Sequence, residues 1–153
     1  MSEIEWCKDQ RKGLHLIEPS VNLSDAYLQK AEEALETMNS IESPDWIIST
    51  GYYCMYYSLY AVLMKAGIKS EIHTCTTECI KEYFGKFFSQ ADLDTIEDAR
   101  VMRVESQYSV ARESAGRQAS EIVANAPIIL LKCKYVCSKI TKEDIKKIRS
   151  NFH

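Results

Sequence analysis

Apolar residues recur every three or four positions along most of the chain, which is the spacing of one face of an α-helix. The first clear run consists of Leu28, Ala31, Leu35 and Met38. Ser24 precedes this run and is a suitable N-cap, so we predict a helix over residues 24–40. The same reasoning predicts further helices over residues 44–66, 73–88, 91–108, 113–138 and 142–149.

Residues that begin or end helices fall between these runs. Pro44 suits a first helical turn, and Gly67 suits a C-cap. Pro127 lies inside the fifth predicted helix, where we expect a kink or a split. Thr141 with Asp144 three residues later resembles a capping box. No segment alternates with period two for long enough to predict a strand.

These elements predict an all-α fold, an antiparallel up-down helical bundle of four to five main helices with a short C-terminal helix. Residues 1–22 show no clear period and are assigned to an N-terminal lead-in, in which Glu18, Pro19 and Ser20 are predicted to be a loop. The bundle is assigned to residues 23–138, and residues 139–153 form a short helical tail of the same domain. Only 5 glycines and 3 prolines occur in 153 residues, which disfavours an all-β fold rich in turns.

Charge and hydropathy limit the partners of the chain. The formal net charge of -3 provides no global attraction to nucleic acid, so RNA contact requires a local basic patch. Residues 46–64 carry no charge, but five tyrosines among them disfavour a membrane span, and we predict a helix buried by its neighbours. The charged residues 1–12 do not resemble a secretory signal, so we expect a cytoplasmic protein without membrane contact.

The six cysteines are interpreted first as small buried side chains. Cys75 and Cys79 share one helix face, as do Cys133 and Cys137, because each pair is four residues apart. Two alternatives stay open at this point: a zinc site of four thiolates and an inter-helix disulfide. The familiar phosphate-loop, metalloprotease and serine-hydrolase motifs are absent from the sequence, so we predict no cofactor and no metal.

The second predicted helix carries the most distinctive pattern of the chain. Residues 49–57 read STGYYCMYY and are followed by Leu63 and Gly67, which resembles the "YYAM(Y/F)xxxxALLxxxG" helix of HEPN-domain proteins. Lys69 and His73 are similar to the "KxxxH" connection that follows this helix in the family. Four further fragments are similar to HEPN segments in the expected order: residues 27–32, 80–84, 99–108 and 115–124.

The resemblance implies a helical bundle that forms a homodimer and is often encoded beside a minimal nucleotidyltransferase. Many HEPN proteins are metal-independent RNA endonucleases, frequently toxins of toxin–antitoxin pairs. Their site combines an arginine, four to six residues, and then a histidine. The guanidinium holds the phosphate, while the imidazole moves a proton to or from the attacking 2'-hydroxyl.

This chain departs from that pattern at the histidine. Arg103 is well placed, but Tyr108 stands where the nucleases have histidine, and a phenol is a poor general base at neutral pH. Arg103 and Tyr108 are therefore the candidate catalytic pair of a degenerate site. The candidate nucleotide- or RNA-binding residues are Arg100, His73, Lys69, Tyr52 and Tyr53. Arg112 and Arg117 are candidates for the same basic patch.

Three functions remain at this point. The first is a nucleotide- or RNA-binding partner of a nucleotidyltransferase, with nuclease activity weak or lost. The second is a protein–protein interaction module without nucleic acid. The third is an active metal-independent endonuclease that uses Tyr108 or His73. We expect a homodimer in each case, because the apolar second helix offers more surface than one bundle readily buries.

Overall fold

A computed structural model describes residues 1–108, 110 and 112–153. Within these residues it contains seven helices and one two-stranded sheet, so the all-α bundle is confirmed. The elements are α1 (Glu3–Asp9), β1 (His15–Leu16), α2 (Val21–Ser40), α3 (Pro44–Ala66), β2 (Ile68–Lys69), α4 (His73–Tyr83), α5 (Gln90–Tyr108), α6 (Ala115–Lys139) and α7 (Lys142–Asn151).

Helix α3 lies at the centre of the bundle. It packs most extensively against α2 and α6 and also contacts α4, α5 and α7. The helix begins at Pro44 and ends at Gly67, whose φ of 75° allows its N–H to bond the carbonyls of Leu63 and Met64. Neighbours on several sides explain the absence of charge over residues 46–64. In the described part of the chain, no helix has the length and apolar character that crossing a membrane requires.

Gly51 allows α3 to approach its largest neighbours closely. A Cβ at this position would lie 2.0 Å from Cγ2 of Ile122 in α6 and 3.0 Å from Sδ of Met38 in α2. Real carbon atoms do not approach so closely, so the three helices can meet here only because residue 51 has no side chain.

The lead-in segment is more ordered than predicted. Residues 3–9 form α1, which is capped by a reciprocal capping box between Ser2 and Glu5. His15 and Leu16 of β1 pair antiparallel with Lys69 and Ile68 of β2. The lead-in therefore contains ordered elements that were not predicted, while residues 18–20 lie outside any helix or strand, as expected for a loop. The capping box was visible in the sequence, whereas a two-residue strand is too short to show a period.

The start of α2 also differs from the prediction. The Ser20 hydroxyl, not that of Ser24, accepts a hydrogen bond from the N–H of Leu23, at 3.0 Å. Ser24 is a buried helical residue whose hydroxyl lies 3.6 Å from Sγ of Cys137. The N-cap therefore lies four residues before the predicted one.

The end of α4 was mispredicted, and of the two alternatives at Pro127 the split does not occur. Helix α4 ends at Tyr83, because the chain turns at Phe84 and buries Phe84 and Phe88 in the core. Helix α6 continues through Pro127 without a break. Pro127 is exposed, so the helix loses one backbone hydrogen bond there while its buried face stays packed on α3.

The C-terminal helix closes one end of the bundle. Helix α7 begins with the predicted capping box between Thr141 and Asp144. Nη1 of Arg149 donates to the carbonyls of Ile17, Ala66 and Gly67 at 2.8, 3.1 and 2.8 Å. A cation at the C-terminal end of α3 satisfies carbonyls that the helix leaves open.

The cysteines divide into two groups. Cys7 of α1 and Cys75 of α4 form a disulfide, which ties the N-terminal helix to the helix that begins with His73. The four-thiolate zinc alternative is wrong, because Cys75 is already bonded to another sulfur. Cys54, Cys79, Cys133 and Cys137 are free and buried, as the packing interpretation predicts.

Candidate functional site

The consecutive tyrosines of α3 cover two faces of the helix. Tyr52 and Tyr56 are buried, whereas Tyr53 and Tyr57 are half-buried. Burial raises the pKa of Tyr52 and raises the pKa of Tyr56 to about 12, so both phenols stay protonated. Their hydroxyls therefore serve as neutral hydrogen-bonding groups, with the Tyr52 hydroxyl contacting His73 and the Tyr56 hydroxyl contacting Thr76.

His73 is the first residue of α4 and stacks on Tyr56. The two rings lie 3.9 Å apart between centroids, with planes 17° apart. The Tyr52 hydroxyl lies 2.8 Å from Nδ1 of His73 and fixes the ring in this plane. Burial first, and then the charges of Arg103 and Arg100, lower the pKa of His73. The imidazole is therefore neutral at neutral pH.

The neutral ring can serve in either of two tautomers. When Nδ1 accepts from Tyr52, Nε2 carries the proton and can donate to a phosphate oxygen. When Nδ1 donates to Tyr52, Nε2 can accept a proton from a hydroxyl group. Among the described residues, none forms a hydrogen bond with Nε2.

Arg103 of α5 lies over the same tyrosines. Its guanidinium carbon is 5.3 Å from the ring centroid of Tyr52 and 5.6 Å from that of Tyr53, within cation–π range. Nη1 donates to Oε1 of Gln107 at 3.2 Å. Nε is buried and has no hydrogen-bond partner within the described part of the chain. A buried guanidinium donor without a partner is costly in a folded protein, and Nε of Arg112 is a second such atom among the described residues.

A groove of about 460 Å³ runs beside Arg103 along α3. This volume suits a ligand of nucleoside size. Trp46 stands at its edge with 67% of its surface exposed. The groove thus offers flat aromatic rings beside a fixed cation. Its lining consists of Asp45, Trp46, Ser49, Tyr53, Arg103, Ser106 and Gln107.

Arg112 neutralises the carboxylates next to this groove. Its guanidinium lies 2.8 Å from Asp45 and 3.6 Å from Glu105, and only 8% of its side chain is exposed. The arginine therefore links α3 to the segment after α5. Its sequence position suggested an open basic patch, but its charge is paired with these two carboxylates. Arg117 is exposed on the first turn of α6.

The structure brings together most of the candidate residues. Tyr52, Tyr53, His73 and Arg103 form one cluster. Arg100 lies one turn before Arg103 and is paired with Glu97 at 2.7 Å. Its positive charge also acts on the pKa of Tyr52 and of His73.

Lys69 and Tyr108 lie apart from this cluster. Lys69 belongs to β2 opposite His15, with its side chain exposed. Tyr108 is 77% exposed at the end of α5. Five residues turn a helix by about 140°, so Tyr108 points away from the face that carries Arg103. Of the two candidate bases, His73 and not Tyr108 belongs to the cluster around Arg103.

Two members of the site were not recognised in the sequence as functional. Trp46 precedes Tyr53 by seven residues and Tyr57 by eleven, which places all three on one face of α3. That spacing was available in the sequence. Tyr56, the residue on which His73 stacks, stands in the tyrosine run but was not among the candidate site residues, because its contact depends on how α4 folds back.

A second groove, of about 480 Å³, lies beside α1 and α4. Glu3, Glu78, Asp94 and Glu97 contribute four carboxylates to its lining, against the single cation of Lys81. This charge would repel a phosphate, so the groove beside Arg103 is the better candidate for an anionic ligand.

A family model described as HEPN domain matches residues 21–136. This range covers the bundle from the start of α2 to near the end of α6 and contains every residue of the cluster. No curated protein matches the chain.

Proposed function

The chain belongs to the HEPN domain family, a nucleotide- and RNA-related family, and on this premise we propose that it binds a nucleotide or RNA in the groove beside Arg103. Arg103 holds a phosphate, and Trp46 and Tyr53 offer rings on which a base stacks. His73 faces the same cluster from α4 and hydrogen-bonds the ligand.

The observation that carries this proposal is the position of Arg103. Its guanidinium is held over two tyrosine rings with one donor buried and without a partner in the described residues. Planar, bidentate recognition of phosphate is the chemistry for which arginine is best suited. Arg112 supports it by neutralising Asp45, which otherwise would repel the ligand.

Nuclease activity of this site is proposed to be weak or lost. Tyr108, which replaces the family histidine, is exposed and turned away from Arg103. His73 lies in the cluster around Arg103 and is a better candidate for the general base, but its lowered pKa makes it a weaker base than an ordinary histidine. Protonating it would place a third positive charge beside Arg103 and Arg100.

The experiment is a titration of fluorescein-labelled octa-uridylate with the wild-type chain and with Arg103→Ala, followed by anisotropy. Loss of the phosphate contact is expected to weaken binding by about tenfold or more. Arg11→Ala removes the same charge from an exposed turn outside the groove and serves as the control. Equal affinities for all three proteins would contradict the proposal.

A second candidate is an active metal-independent endonuclease that uses His73, which the Tyr52–His73 hydrogen bond favours. Nε2 would accept the proton of the 2'-hydroxyl, the 2'-oxygen would attack the phosphorus, and the bond to the 5'-oxygen would break. The leaving 5'-oxygen would take a proton from solvent, leaving a 2',3'-cyclic phosphate. Cleavage of mixed RNA in EDTA that His73→Gln abolishes and Tyr108→Phe preserves would establish this activity.

We also propose a homodimer, and the surface that supports it lies on α6 and not on α3. The apolar surface of α3 is largely buried inside one chain, so the surplus apolar surface expected from the sequence does not support the dimer. Helix α6 instead exposes Ile128, Leu131 and Tyr135 on one face. The same stripe supports the alternative of a protein-interaction module, which predicts no RNA binding at all. Sedimentation of the wild type and Leu131→Glu distinguishes a dimer from a monomer.

The proposed nucleotidyltransferase partner of a toxin–antitoxin-type pair is supported by Tyr108. An exposed phenol at a helix end is accessible to a second protein. Its oxygen would attack the α-phosphate of ATP, release pyrophosphate and lose its proton to the transferase. Intact mass after incubation with a neighbouring transferase and ATP is expected to rise by one nucleotidyl group, and not in Tyr108→Phe.

A cytoplasmic location is proposed as well. The Cys7–Cys75 disulfide weighs against this location, because such bonds are rare in the cytosol outside hyperthermophiles. Fractionation of the source cell with an antibody to the chain would place the protein directly.

A further inference from the structure

A second pair of aromatic rings and a cation lies beyond the groove on the same side of α3. Tyr27 of α2 packs against Tyr57 of α3, with ring centroids 6.1 Å apart. Nζ of Lys30 lies 4.9 Å from the Tyr57 centroid and 5.8 Å from the Tyr27 centroid. Lys30 is exposed and forms no ion pair with the described residues.

This second pair is continuous with the first. The Tyr53 and Tyr57 rings lie 5.7 Å apart, one helical turn from each other. Arg103 lies over the ring at one end and Lys30 over the ring at the other. Two half-buried tyrosines with a cation at either end therefore form a single row, which we call the tyrosine row: Arg103, Tyr53, Tyr57 and Lys30.

We propose that the tyrosine row binds single-stranded RNA over at least two consecutive nucleotides, with Arg103 and Lys30 contacting phosphates on either side of the two rings. This inference rests on the proposed function and names its ligand. It makes Lys30, Tyr57 and Tyr27 a second subsite that a mononucleotide held by Arg103 does not reach.

The ring spacing favours a single strand. Successive nucleotides of a B-form DNA strand advance by about 3.4 Å along the helix axis, with each base stacked on the next, and the bases of an RNA duplex are stacked in the same continuous way. Rings 5.7 Å apart and tilted by 32° cannot match that regular stack. They suit bases that have left their neighbours and stack on protein, which is how proteins bind single-stranded segments.

The charges favour RNA over an apolar partner. Each of the two rings carries a cation, and neither cation is neutralised by a carboxylate of the described residues, as the ion pairs of the chain show. Arg103 and Lys30 thus present an unpaired positive charge at each end of the row. A polyanion with flat bases matches this alternation, whereas an apolar helix of another protein would bury both charges without partners.

The experiment compares ligand lengths. Uridine monophosphate and fluorescein-labelled octa-uridylate are titrated into the wild type, Lys30→Gln, Tyr57→Leu and Arg103→Ala, with circular dichroism to check folding. Lys146→Gln is the control, because it removes one charge from an exposed position of α7. The octamer is measured at several salt concentrations.

The proposal predicts that the two subsite variants bind the octamer more weakly, by several-fold for Lys30→Gln and about tenfold for Tyr57→Leu, and bind uridine monophosphate as the wild type does. Lys30→Gln should also reduce the salt dependence by about one phosphate contact, a slope change of about 0.7. Lys146→Gln should change neither quantity.

Two failures are distinguishable. If Arg103→Ala weakens octamer binding while Lys30→Gln and Tyr57→Leu match Lys146→Gln, the second subsite is wrong and the proposed function stands. If Arg103→Ala binds both ligands like the wild type, the proposed function is wrong, and the tyrosine row fails with it. If neither the wild type nor any variant binds the octamer, the inference is also wrong.

Discussion

The Tyr52 hydroxyl and Nδ1 of His73 lie 2.8 Å apart and join the middle of α3 to the first residue of α4. The bond matters because the same tyrosine ring lies under the guanidinium of Arg103. One buried phenol thereby orients both a neutral imidazole and a permanent cation on a single side of α3.

This arrangement predicts how His73 titrates. Its NMR midpoint should lie below the ordinary value of 6.5, because burial and then Arg103 and Arg100 disfavour the protonated ring. Arg103→Gln removes one of those charges and should raise the midpoint. A midpoint at 6.5 or above in the wild type would contradict the burial of the ring, and no rise in the variant would contradict its proximity to Arg103.

The same titration has a consequence for stability. The unfolded chain protonates His73 at a higher pH than the folded chain does, so the free energy of unfolding should fall as pH drops through about 6.5. Above that pH the contribution of the neutral ring is fully present. Urea unfolding from pH 8 to 5 should therefore show a shallower decline in His73→Gln than in the wild type.

Gly51 provides a test of the packing around α3. Replacing a helical glycine with alanine ordinarily stabilises a protein, but Cβ at this position would collide with Ile122 and Met38. Gly51→Ala is expected to lower the free energy of unfolding by about 1–3 kcal/mol. Gly116→Ala is the matched control, because nothing lies within 4 Å of its Cβ. It should raise stability by about 0.4–1 kcal/mol, and urea unfolding measures both.

The disulfide predicts a second stability difference. Cys7 and Cys75 close a loop of 68 residues, so the bond restricts the unfolded chain considerably. The double variant Cys7→Ser, Cys75→Ser is expected to lose about 2–4 kcal/mol of stability. Alkylation of the denatured, unreduced protein should label four cysteines. Labelling of all six would contradict the bond.

The boundaries of α3 could be predicted because they depend on local chemistry. Pro44 and Gly67 favour helix ends wherever they occur, and the uncharged interval between them indicates burial. The segment before α2 was harder, because a seven-residue helix and a two-residue strand leave little periodicity. Its order depends on distant partners, namely Cys75 and the strand at Ile68.

The candidate site could be predicted only where it depends on local sequence patterns and not on contacts between distant residues. Tyr52, Tyr53 and Arg103 stand in recognisable patterns, and the structure does group them. The partnership of His73 with Tyr52 spans 21 residues and depends on how α4 folds back over α3. Tyr108 was paired with Arg103 by family spacing alone, and the structure leaves its side chain exposed at the end of α5.

RNA binding on the exposed side of α3 is tested most directly by photocrosslinking of octa-uridylate that contains 4-thiouridine, followed by mass spectrometry of the crosslinked peptides. Crosslinks to Trp46, Tyr53 and Tyr57 are expected, together with their loss in Arg103→Ala. Crosslinks confined to the basic residues of α7, or a pattern unchanged by Arg103→Ala, would contradict it.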